Sequence, residues 1–254
     1  MKKIVFCLIM AAVTLSACNI NFHESYSGKP IKTETRETQS FERIQLIGSP
    51  TLYYTQGDTT SIMVEAPKDL LEYVETEVKN NCLIVRISNE AGSVIRQLSI
   101  PDMDEVKIHV TSPDLIEATL SGSGDFISNG LLDTDNLKLE LKGSGDMSFQ
   151  DIICDHINTT LVGSGDIKVS HVKAQTSNIE LVGSGDLDIF HDGVQQTVIL
   201  LKGSGDIKAD FQRCGEVSGE LRGSGDITLT GNVHKMQKKV LGSGDFHTNS
   251  LQVQ

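Results

Sequence analysis

From about residue 116 onward, apolar side chains fall on every second position. One stretch reads Leu137, Leu139, Leu141, Gly143, Gly145, Met147, Phe149, and the next Ile157, Thr159, Leu161, Gly163, Gly165, Ile167, Val169. The pattern continues as Ile179, Leu181, Gly183, Gly185, Leu187, Ile189, then Ile199, Leu201, Gly203, Gly205, Ile207, Ala209, Phe211, then Val217, Gly219, Leu221, Gly223, Gly225, Ile227, Leu229. Period-two spacing predicts β-strands. The parity runs unbroken through a tetrapeptide, Gly-Ser-Gly-Asp, which puts both glycines on the inward side and turns serine and aspartate outward.

That tetrapeptide occurs seven times, starting at Gly122, Gly143, Gly163, Gly183, Gly203, Gly223 and Gly242, at intervals of 21, 20, 20, 20, 20 and 19 residues. A period near 20 is one turn of a solenoid. The predicted fold is all-β, a single-stranded parallel β-helix with two strands of about five residues, a glycine corner and a turn in each coil. Coils would stack at roughly 4.8 Å. The inward glycines are expected at corners where a side chain would crowd the interior. The crossover rule favours right-handed coils. No amphipathic helix separates the strands, which excludes barrels and doubly wound sheets. A sandwich would not repeat one tetrapeptide at this period.

Residues 41–120 follow the pattern more loosely. Phe41, Ile44, Leu46 and Gly48-Ser49-Pro50 form a degenerate copy, followed by Leu52-Tyr53-Tyr54. Ile62-Met63-Val64, Leu83 to Ile87, Leu98 to Pro101 and Val106 to Val110 are strand-like, and Pro67 to Val78 allows one or two helical turns. This half is expected to supply wider first coils that cap the solenoid.

The N-terminus has a different character. Lys2 and Lys3 precede an apolar stretch, Ile4 to Val13, too short to span a bilayer, and it ends in Leu15-Ser16-Ala17-Cys18. This resembles the lipobox of bacterial lipoproteins. The resemblance implies a signal peptide over 1–17, a lipidated Cys18, and a polar tether over 18–40 leading to one domain over 41–254 (irregular 41–120, regular 121–254). A lipid chain anchors a protein without a transmembrane helix.

The chain carries a formal net charge of −12. Loss of Lys2 and Lys3 would leave 20 Lys+Arg against 34 Asp+Glu. That balance argues against nucleic acid and anionic membrane surfaces as partners, leaving the lipid anchor as the membrane contact. Cys154 and Cys214 fall eleven residues after their glycines, three coils apart, too far for a disulfide. They and Cys82 are expected as free thiols, the first two in the core.

Phe41-Glu42-Arg43-Ile44, Gly48-Ser49, Leu52 to Gly57, Leu83-Ile84-Val85 and the serial Gly-Ser-Gly-Asp corners together resemble the head GIN domain family, over about residues 40–250. Its members are described as autotransporter adhesins, mostly bacterial envelope lipoproteins. The resemblance implies a right-handed parallel β-helix in the cell envelope, here at the outer membrane. Pro50 stands in this sequence where the second glycine of the motif belongs, so that corner should be shaped differently.

The candidate site is the row of outward aspartates: Asp125, Asp146, Asp166, Asp186, Asp206, Asp226 and Asp245. Two carboxylates about 4.8 Å apart repel by about 0.9 kcal/mol in bulk water and about 3.5 kcal/mol at an effective dielectric near 20. Three offsets are available. Each carboxylate can accept backbone N–H groups at its own turn. Lys142, Lys202, Arg222, Lys168 and Lys208 lie close by in sequence. Calcium could sit between rungs, although one aspartate per coil supplies few ligands. His171 and His191, each eight residues after its glycine, form a possible stacked pair, and no other metal-ligand spacing is present.

The expected function is therefore non-catalytic: a β-solenoid that binds a protein or glycan or plays a structural part in the envelope, with self-association through its ends or faces. No cofactor is implied beyond the calcium option. The alternatives are a polysaccharide lyase or hydrolase on the same fold, or a calcium-dependent adhesion module. Against the enzyme stand short, uniform turns and the lack of a nucleophile elbow or zinc motif.

Overall fold

The computed structural model describes residues 30–88 and 105–254. The signal segment, Cys18 and the expected strand at Leu98 to Pro101 lie outside the described residues. The regular half forms β8 (Glu117–Gly122), β9 (Asp125–Asp133), β10 (Asn136–Gly143), β11 (Asp146–Ile153), β12 (His156–Gly163), β13 (Asp166–Lys173), β14 (Thr176–Gly183), β15 (Asp186–Asp192) and β16 (Gln196–Gly203). Then β17 (Asp206–Gly223) and β18 (Ile227–Gly242) each run through both sides of a coil, and β19 (Phe246–Val253) follows. Most of these single-sided strands are eight residues long, not about five. Only two or three residues remain at the corners between them.

Every strand pairs in parallel with its equivalent one coil on. β10, β12, β14, β16 and the second halves of β17 and β18 form one side, here the glycine face, whose strands end on the first glycine of the motif. β9, β11, β13, β15, the first halves of β17 and β18, and β19 form the aspartate face. Between the faces lies one continuous core, drawn from Phe41 to Val233. Tyr54, Phe126 and Phe149 stack through it, with ring centroids 6.5 and 5.5 Å apart.

The glycines serve a purpose other than the one expected. A Cβ on Gly143, Gly163, Gly183 or Gly203 would lie 2.0–2.1 Å from the carbonyl oxygen of the equivalent glycine one coil back. On Gly165, Gly185 and Gly205 it would lie 1.9–2.0 Å from the matching oxygen. The constraint is contact between coils, not crowding of the interior.

The N-terminal half departs further from expectation. It comprises β1 (Ile31–Arg36), β2 (Arg43–Gly48), β3 (Thr51–Gln56), β4 (Ser61–Pro67), a short 3-10 turn (Leu71–Tyr73), β5 (Val74–Lys79), β6 (Cys82–Ile87) and β7 (Lys107–Ser112). The coil β2–β3 does not lie at the end. It stacks on β8 and β9 on one side and on β6 and β7 on the other, all parallel, with Gly48 level with Gly122. Antiparallel strands close the end: β5 on β6, β4 on β7, and β1 on β4. The cap is therefore a set of hairpin-like additions instead of wider coils. It also recruits residues 31–36, read from sequence as part of the tether.

Candidate functional site

The aspartate ladder is real, and its geometry answers the question of repulsion. The Oδ1 of Asp146 accepts the backbone N–H of Asp166 at 3.2 Å. Asp166 accepts from Asp186 at 3.0 Å, Asp186 from Asp206 at 3.2 Å, Asp206 from Asp226 at 2.9 Å, and Asp226 from Asp245 at 2.8 Å. Each carboxylate thus caps the corner of the next coil, not its own. Asp125 differs: its Oδ2 accepts from the Thr51 hydroxyl at 3.4 Å, and the Asp146 N–H goes to the Gly124 carbonyl instead. On the rungs from Asp146 to Asp226 a fixed amide dipole offsets the like charge locally. Burial pushes Asp146 up, aided by the charges of Asp166 and Asp125 and opposed by the Asp166 N–H. Asp226 is held low by the Asp245 N–H and by His247.

The basic residues divide. Lys142, Lys202 and Arg222 lie on the glycine face, paired with Glu140, Glu180 and Glu220 at 2.7, 2.7 and 2.9 Å, so they do not offset the ladder. Lys168 and Lys208 do flank it, lining a depression of about 210 Å³ with Asp166, Asp186, Asp188 and Asp206.

If capping is what the ladder does, Asp186→Ala should lower stability by about 1 kcal/mol through loss of one charge-assisted bond on an exposed corner. Asp186→Asn keeps an acceptor and removes a like charge, and should leave the urea midpoint near wild type. An Asn variant as damaged as the Ala variant would mean that the charge itself is needed.

The histidines are not a stacked pair. A register slip between Val169 and Val172 pairs His191 with Val172, so His191 occupies an inward, core position. It is fully buried, its ring stacks 4.9 Å from Phe211, and its Nε2 lies 3.0 Å from the Ser177 hydroxyl. Burial pulls its pKa down to about 4. His171 stays at the surface, stacked on Phe190 and between Asp151 at 3.4 Å and Asp192 at 3.5 Å. Asp192 also takes Arg213, which holds its carboxyl low. The three remaining cysteines are free thiols, Cys154 and Cys214 buried and Cys82 half-buried.

Two features escaped the sequence reading. His247 comes to 3.3 Å from Asp226, and ligand atoms of Asp226, Asp245 and His247 lie within 4.8 Å of one another. The signal available was the i, i+2 placement of Asp245 and His247 on one strand side. The second feature is on the glycine face, where two adjoining depressions of about 310 and 250 Å³ share Val198 and Leu200. They run across five successive strands, from Asn158 through Asn178, Val198 and Ser218 to Gln237, facing a second row that includes Glu180, Leu200, Glu220 and Lys239. Asn178 donates to Asn158 at 2.8 Å, and Val162 and Val198 are exposed. The result is a shallow open trough parallel to the solenoid axis.

Comparison with solved structures gives the same architecture. A protein from Bacteroides fragilis described as a "putative adhesin" is 25% identical, with a TM-score of 0.73, covering 85% of this chain and 96% of its own. A "putative adhesin" from Parabacteroides distasonis is 17% identical at a TM-score of 0.71, covering 87% and 98%. A "putative lipid binding protein" from the same species is 22% identical at 0.65, covering 85% and 96%. The latter two show the fold alone. Among curated proteins none matches the chain. The family model "Putative auto-transporter adhesin, head GIN domain" matches residues 40–209 and 192–254, and the chain belongs to that family.

Proposed function

We propose that this protein is a non-catalytic, lipid-anchored envelope adhesin that holds an extended partner, a protein segment or a glycan, along its glycine face. Membership in an adhesin-like family supports an envelope or surface location and a binding role. The observation that carries the reading is the trough across five strands, open along its length and lined by amides, carboxylates, lysines and the exposed Val198. Solenoids bind through such extended surfaces, not enclosed pockets. The pairing of Glu180 with Lys202 and of Glu220 with Lys239 leaves the trough close to neutral although the protein is acidic overall. Its partner therefore needs no strong charge of its own. The aspartate ladder, with one oxygen of each inner carboxylate already engaged by the next coil, is the weaker binding surface. The anchor reading rests on the lipobox-like Leu15-Ser16-Ala17-Cys18.

The test is an array of glycans and matrix proteins probed with the chain from Asn19 on, which keeps every strand and core residue described above. Partners bound by wild type should be lost or weakened at least tenfold by Asn178→Ala with Val198→Lys. Asp166→Asn with Asp186→Asn should leave them unaffected. The reverse pattern would move recognition to the ladder.

A further inference from the structure

The C-terminal end of the solenoid presents two edges of different character. On the glycine face the last strand is residues 235–242 of β18, which carries Lys235, Lys238 and Lys239. Lys238 occupies a core-facing position, level with Gly219, and its Nζ lies 5.8 Å from the Phe246 ring. Charges on an edge, especially inward-pointing ones, block strand addition. On the aspartate face the last strand is β19, Phe246–Val253, which contains no Lys, Arg, Asp or Glu. It pairs with β18 along one edge, and among the described residues nothing pairs with the other. It also follows residues 235–242 in the chain, so it projects half a coil beyond them.

The outer strands at the opposite end are charged: β1 carries Lys32, Glu34 and Arg36, and β5 carries Glu75, Glu77 and Lys79. β19 is thus the one unguarded outer edge among the described residues. Its side chains are also arranged symmetrically. Phe246, Thr248 and Leu251 are half-buried, whereas His247, Asn249, Ser250 and Gln252 are exposed. The inward parity breaks in the middle of the strand, where the register with β18 shifts.

We infer that β19 is a homodimer edge: a second copy adds its own β19 antiparallel, about a two-fold axis at Asn249 and Ser250. In that register Phe246 faces the partner's Val253 and Thr248 faces the partner's Leu251, all on the core side. His247 faces the partner's Gln252 and Asn249 faces the partner's Ser250, all on the solvent side. Inward positions meet inward ones, and the two bends coincide. A two-fold interface demands such self-complementarity and closes at two copies. Self-pairing at β1 or β5, or at the lysine-bearing part of β18, would instead bring charged rows face to face.

The same pairing covers the exposed apolar end, where the tip of Phe246 lies over Gly219 and Val253 is 56% exposed. Main-chain bonds would supply the affinity, as in other strand additions. A lipid surface is a poorer fit, because the unpaired backbone edge would remain unsatisfied in an apolar phase.

The experiment is sedimentation of the chain from Asn19 on over a concentration series, with two charge variants. One is Asn249→Lys with Ser250→Lys, and the other Asn249→Glu with Ser250→Glu. All four changes fall on exposed positions. Wild type should sediment as a concentration-dependent dimer. Each variant alone should be monomeric with an unchanged melting temperature, and an equimolar mixture of the two should recover the dimer. A wild type that stays monomeric at every concentration overturns the inference, as does a dimer that neither variant disturbs.

Discussion

Gly185→Ala should lower the stability of the solenoid by about 4 kcal/mol or more, enough to sever it as a cooperative unit at that coil. The new methyl carbon would lie 1.9 Å from the Gly165 carbonyl oxygen, backbone that cannot swing aside. Relief requires the coils to part by more than 1 Å, well beyond what a ladder hydrogen bond tolerates. The bonds at stake include Ser184 N–H and Gly185 N–H to Gly163 O, at 2.9 and 3.3 Å. Each buried group left unpaired adds about 1–3 kcal/mol. Gly130→Ala is the control: nothing lies within 4 Å of its Cβ position, and its effect should stay within about 0.5 kcal/mol. Urea titration followed by circular dichroism reads both. Equal midpoints for the two variants would mean that the coils do not sit at this spacing.

The second large effect is acid sensitivity through His191. Its pKa falls from the ordinary 6.5 to about 4 in the folded protein, because burial disfavours the charged ring. The unfolded state therefore binds the proton first. Stability contributed by the neutral ring is complete above pH 6.5, declines as pH falls through that value, and is exhausted below about 4. The shift corresponds to roughly 3 kcal/mol over the window. Replacing His191 with valine, the residue at the paired position one coil earlier, should flatten this slope. At pH 7 the variant should be less stable by about 1–3 kcal/mol, because the Ser177 hydroxyl loses its partner. The two stability curves should therefore converge, or cross, towards pH 4. Parallel curves over pH 4–7 would show that His191 does not titrate with unfolding.

The regular coils were legible because their signals are local. Alternation gives the strands, and a tetrapeptide at a fixed period gives the corner and the register. The cap was not legible for the opposite reason. β1, Ile-Lys-Thr-Glu-Thr-Arg, is polar and exposed along most of its length and becomes a strand only because β4 offers it an edge. No local pattern in residues 43–56 tells that a later segment will pass to their outer side. His171 and His191 looked equivalent because counting from the glycine assumes equal coils. His191 keeps the inward parity of Leu187 and Ile189, whereas in the coil before it the parity breaks, so Val172 takes the inward place and His171 stays outside. The ladder was readable as a row of aspartates, but which amide each carboxylate meets depends on the stagger between coils.

The placement of the coil β2–β3 has a mechanical consequence. Any tension transmitted along the chain from its N-terminal side reaches β1 first, an edge strand with a single neighbour, which can yield. The load then passes to β2, clamped between β6 and β8 by parallel bonds on both edges. Extracting it would require both rows to fail together in shear. The point where a tether would pull is thus braced by segments that follow it by about forty and seventy residues, so force entering at one end is shared by the interior of the solenoid before any regular coil has to open.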